Sequence, residues 1–72
     1  MSVSPERILS LPPDQREAWR ALRNAGGSKI TPKSDRAIAA QIGWRLSRYT
    51  AAMSALASAG YVRGGPEGRY VQ

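Results

Sequence analysis

Glycine punctuation is the feature that most constrains this chain. Gly26-Gly27, Gly43 and Gly60 each interrupt a helical pattern, which leaves room for three short helices and a non-helical tail. The first pattern follows Pro13. Asp14 and Glu17 lie in its first turn, where carboxylates oppose the positive end of the helix dipole, and Ala18, Trp19, Leu22 and Ala25 give one apolar face. Ahead of it, Ser4-Pro5-Glu6 reads as the cap and first turn of a helix of barely two turns that ends before Leu11-Pro12-Pro13. Residues 1–10 are therefore expected to form an accessory helix or arm, and residues 11–72 the domain proper.

After Gly26-Gly27, the segment Ser28-Lys29-Ile30-Thr31-Pro32 is too short for a helix and could form one short strand, giving a small sheet of two or three strands. Ser34 can cap the next helix, with Ile38, Ala39 and Ile42 on its inner side and Gly43 at its end. In the last helix Tyr49, Ala52, Met53 and Leu56 fall at i, i+3, i+4 and i+7, a core stripe, while Ser47, Ala51, Ser54 and Ser58 fall opposite. Trp19 and Tyr49 are read as core residues. Tyr61-Val62-Arg63 and Arg69-Tyr70-Val71 alternate around Gly64-Gly65-Pro66-Glu67-Gly68, which reads as a β-hairpin with a five-residue loop. The fold class is mainly α with a small β-hairpin.

The 72 residues allow one small domain, which buries only about 60% of its unfolded surface and leaves little room for a large catalytic cleft. At 42% hydrophobic residues the chain nevertheless carries enough apolar surface to fold. It has no cysteine and no histidine, which removes disulfides, thiolate and imidazole metal sites and the commonest general base. No catalysis and no cofactor is expected. Eleven Lys and Arg against five Asp and Glu give a net charge of +6, and from Trp19 onward nine basic residues face only Asp35 and Glu67. A polyanionic partner is the leading reading, against the plainer one that the charge serves solubility. No apolar run approaches the roughly 18 to 20 residues of a membrane span, and Met1 to Pro5 carries no leader pattern, so no membrane partner and a cytoplasmic, nucleoid-associated location are expected.

Ala39, three residues, Gly43, a further helix to Leu56, and then Gly60-Tyr61-Val62 together resemble a winged helix-turn-helix. The closest likeness is to MarR-type repressors, whose corresponding helix ends in a similar leucine, small residues, glycine and two apolar residues. Leu11-Pro12-Pro13-Asp14-Gln15-Arg16-Glu17 also resembles the opening of the LexA amino-terminal domain. The resemblance spans residues 11 to 71 and implies double-stranded DNA as partner, with the last helix in the major groove, the helix before it over the phosphates, and the wing at the flanking backbone or minor groove.

Carried onto this chain, it puts Arg45, Ser47, Arg48, Thr50, Ala51 and Ser54 at the start and outward face of the recognition helix. Arg48 would offer its fork to guanine, or else clamp a phosphate, while the small residues let the helix backbone approach base edges. Lys33, Ser34 and Arg36 would hold a phosphate at the preceding helix start. Arg63 and Arg69 would flank the wing tip and enter a minor groove. Trp44 either closes the core or stacks on a sugar, and Tyr70 either packs or touches DNA.

Two departures qualify the likeness. MarR-type proteins dimerise through extra helices at both ends, whereas this chain offers only the Ser4 to Ser10 segment, so it would dimerise through a small surface, or bind as a monomer, side by side on repeated sites, or within a larger assembly. Tyr49 to Val62 also carries no charge, so specificity would rest on the first turn, the wing and DNA shape. The leading expectation is a small transcriptional regulator of bacterial or phage type. An excisionase-like architectural or recombination accessory protein is the alternative, followed by a winged-helix module that binds other transcription proteins.

Overall fold

The computed structural model describes residues 5–71 and shows a small, mostly helical chain closed by one antiparallel hairpin. The order is α1 (Pro5–Leu9), α2 (Pro13–Asn24), α3 (Asp35–Ile42), α4 (Leu46–Ser58), β1 (Val62–Gly65) and β2 (Gly68–Val71). The cap expected at Ser4 lies outside the described residues. Among the described residues no helix is long and apolar enough to cross a membrane.

Each boundary has a local cause. Pro13 opens α2 at a position whose N–H would be unpaired in any case, and the Arg16 amide donates back to the Pro12 carbonyl at 3.0 Å. Ser34 caps α3, its Oγ accepting from the Ala37 amide at 3.1 Å, as expected from the sequence. At the other end Gly43 takes φ 73°, which lets the Trp44 amide reach the Ala39 carbonyl at 2.9 Å; only a residue at ease in the left-handed region closes the helix so tightly.

The core forms where α2 packs against α4, α3 and β2, with β1 laid along α4. Ala18, Trp19 and Leu22 of α2 meet Ile38 and Ala39 of α3, the stripe Tyr49, Ala52, Met53 and Leu56 of α4, and Val62 of β1; Ile8 of α1 joins them. The expected stripe of α4 is buried, and the opposite residues Ser47, Ala51, Ser54 and Ser58 are exposed.

Two sequence expectations are corrected. Ser28 to Pro32 forms no strand. The Ser28 amide donates to the Thr31 carbonyl, the Thr31 amide donates to Ser28 Oγ, and the Thr31 hydroxyl donates to the Gly26 carbonyl, which leaves Ile30 91% exposed at the bend of a tight loop. Pairing begins one residue later, at Lys33, whose amide and carbonyl exchange hydrogen bonds with Arg69 at 2.9 and 2.7 Å.

The hairpin loop is also shorter than expected. Gly65 pairs with Gly68, so the turn is Pro66-Glu67 and both flanking glycines belong to strands. Gly64, at φ 93°, explains this: a Cβ there would collide with the backbone of Gly68 and Arg69, so glycine permits close strand approach rather than a wide loop.

Candidate nucleic-acid interface

Burial of charge organises the surface. Asp35, 1% exposed, sits at the first position of α3, and Arg69 of β2, 4% exposed, reaches it with two bonds: Nε to Oδ1 at 2.7 Å and Nη2 to Oδ2 at 3.1 Å. Thr50 of α4 donates its hydroxyl to the same Oδ2 at 3.0 Å. The Asp35 amide donates to the Pro66 carbonyl at 2.8 Å, so the hairpin turn folds down onto the start of α3. The forked pairing satisfies both ions where water is absent.

This network corrects three expectations. Arg69 is not at the wing surface; its guanidinium is consumed inside the fold. Thr50 is half-buried and turned to Asp35 rather than outward. The start of α3 is not an open cradle of N–H groups, because Ser34 Oγ takes one and the Pro66 carbonyl another. Lys33 remains half-buried and Arg36 exposed beside it.

Arg45, Ser47, Arg48, Ala51 and Ser54 do lie exposed on the first turn and outward side of α4. Arg48 is held rather than free. Its Nε donates to Asp14 Oδ2 at 3.0 Å and its Nη2 to Oδ1 at 2.7 Å, and its Cζ stands 3.7 Å from the centroid of the Trp44 ring. These bonds from Arg48 hold the Asp14 carboxyl below its ordinary pKa, against a smaller opposing effect of desolvation. Trp44 meets Tyr49 edge-on at 6.5 Å, so it closes the core with one part and supports Arg48 with its face.

In the hairpin, Arg63 is exposed and stands opposite half-buried Tyr70 in the strand register. With Gly60, Val62, Gly64 and Ala57 they line a groove of about 460 Å³ between α4 and β1. Among the described residues no group of His, Cys, Asp or Glu is arranged to hold a metal ion.

Neither the Arg48–Asp14 pair nor the Arg69–Asp35 pair is evident in the sequence pattern, although one of them left a signal. Asp35, Ile38, Ala39 and Ile42 follow i, i+3, i+4, i+7, so Asp35 belongs to the apolar stripe of α3 and required a buried partner. Asp14 carried no comparable mark. Comparison with known proteins gives no match: no family model, no curated protein and no solved structure is similar to this chain.

Proposed function

We propose that this chain is a winged helix-turn-helix domain that binds double-stranded DNA with sequence preference and acts as a small transcriptional regulator. In this reading α3 and α4 are the helix-turn-helix, Lys33 and the hairpin are the wing sheet, and α4 enters the major groove.

The observation that carries it is the outward side of α4. Ser47, Ala51, Ser54 and Ser58 are exposed, small and uncharged, and Arg45 and Arg48 stand at their amino-terminal end. A side free of bulk lets a helix backbone approach base edges, while the arginines supply the phosphate and guanine contacts. Lys33, Arg36 and Arg63 extend the basic surface on neighbouring elements.

The test is fluorescence anisotropy on a duplex selected from genomic fragments. The wild type should show a slope of log K against log salt of about −4 to −5, from roughly four to six phosphate contacts. Ala51→Glu, which adds a carboxylate on an exposed side that makes no core contact, should weaken binding more than about tenfold with unchanged circular dichroism. Arg48→Ala should flatten preference at one guanine, and Lys33→Ala should weaken all duplexes alike. Wild-type affinity in Ala51→Glu, or a salt slope near zero, refutes groove docking.

A further inference from the structure

A second set of cations lies away from α4. Arg16, Arg20 and Arg23 fall at i, i+4 and i+7 of α2, so they form one line about 10 Å long. At about 100° per residue, they stand roughly 120 to 180° around α2 from Asp14. Asp14 is the residue that reaches across to Arg48 of α4. The arginine line therefore stands on the side of α2 turned away from the Asp14–Arg48 contact.

Like charges at these spacings repel one another in an isolated helix, an effect offset in part by Arg23 at the negative end of the helix dipole and by Glu17 three residues before Arg20. Among the described residues, no acid forms an ion pair with any of the three. Two of them are nonetheless held in place. Arg16 donates through Nη1 to the Leu9 carbonyl at 3.2 Å, and the Arg23 guanidinium stands 5.5 Å from the centroid of Trp19. Each retains further N–H donors on a partly fixed fork, which lowers the ordering cost of binding.

We propose that this edge of α2 is a second phosphate-binding surface, and that it takes a second segment of duplex DNA while α4 holds the first. The bridging role rests on the reading of α4 given above; the phosphate site on α2 does not. Phosphates of one strand rise about 3.4 Å each along the duplex axis while winding around it, so a straight line of about 10 Å reaches two neighbouring ones. An acidic protein fits less well. A protein interface needs an apolar centre, and among the described residues the exposed large hydrophobic residues Leu9, Ile30 and Leu46 lie on three separate segments of the chain.

The experiment captures a fluorescent duplex on beads carrying a second, unlabelled duplex, with the full chain as the link and sedimentation to report its oligomeric state. Wild type should capture the free duplex. Arg20→Glu/Arg23→Glu should reduce capture at least about tenfold while affinity for a single duplex changes less than about threefold. The lysine variant Arg20→Lys/Arg23→Lys should restore capture, because phosphate binding needs the charge rather than the Trp19 contact. Circular dichroism checks that both variants fold.

Capture unchanged in Arg20→Glu/Arg23→Glu, whether through self-association or otherwise, overturns the proposal, as does a wild type that binds one duplex and captures no other. If Ala51→Glu leaves DNA binding intact while Arg20→Glu/Arg23→Glu abolishes it, the α4 reading fails and the α2 surface stands. If the double variant instead loses capture of an acidic polypeptide and never of DNA, the partner is a protein and the proposal falls.

Discussion

Replacing Arg69 with methionine keeps the length of the side chain and removes its charge, and the consequence follows from what stays behind. Asp35 would remain buried with Thr50 as the one side-chain donor left to it among the described residues. Breaking a buried pair by removing one partner costs about 3 to 5 kcal/mol. At about 0.05 to 0.15 kcal/mol per residue, the whole domain holds roughly 4 to 11 kcal/mol, so this single change removes about a quarter of it or more. In a domain of this size that lowers the thermal midpoint by about 12 °C or more.

Thr50→Val, which leaves both arginine bonds in place, should cost about 1 kcal/mol. The triple variant Asp35→Leu/Thr50→Val/Arg69→Met should recover most of the loss, since an apolar replacement of a complete buried pair is often neutral or stabilising. Urea unfolding followed by circular dichroism reads all three. If Arg69→Met costs less than about 1 kcal/mol, or the triple variant is worse than the single one, the pair is not the dry, mutually dependent contact derived above.

Two further outcomes follow from single side chains. The Tyr49 hydroxyl is buried without a hydrogen-bond partner among the described residues, and burial, aided by the negative charge of Asp35 and opposed by Arg69, raises its pKa above the ordinary value of about 10. The neutral phenol is thus favoured in the fold, and its contribution is complete below about pH 10 and lost as pH rises further; Tyr49→Phe should unfold less readily at pH 11, by absorbance at 295 nm, and be no less stable at pH 7. Asp14→Asn should free Arg48 and raise affinity for the preferred duplex several-fold by anisotropy, where Arg48→Ala lowers it. Because Arg48 depresses the Asp14 pKa, the clamp is complete above about pH 4 and lost only as pH falls through the depressed value, so no step in affinity from this pair is expected between about pH 5 and 9.

Much of the scaffold was legible because its signals are local. Gly43 after Ile42, Ser34 before Asp35, and the spacing of Tyr49, Ala52, Met53 and Leu56 each depend on one turn of chain and nothing beyond it. The hairpin was legible as a hairpin but misjudged in its loop, since glycine marks both a turn and a close approach of strands, and Gly64 is the second kind. Ile30 misled for the converse reason: a β-branched residue between polar neighbours fits a strand, yet Ser28 and Thr31 satisfy one another and bend the chain around it. The surface was hardest to read. Arg48 and Arg69 each meet an aspartate 34 residues away, a separation at which no sequence pattern distinguishes a captured arginine from a free one.

Residues 33 to 35 carry three attachments at once: the Lys33 pairing with Arg69, the Asp35 amide on Pro66, and the Asp35 carboxylate on the Arg69 guanidinium. The hairpin is thereby anchored at its middle and at its turn to Lys33 and Asp35, on either side of the residue that caps α3. Opening the hairpin exposes Asp35, and fraying the first turn of α3 strands Arg69, so neither event occurs without the other. These segments, far apart in the chain, should therefore behave as one cooperative unit whose amides exchange with solvent at a shared rate, whereas the Ser28 to Thr31 loop, bonded mostly to itself, should open independently.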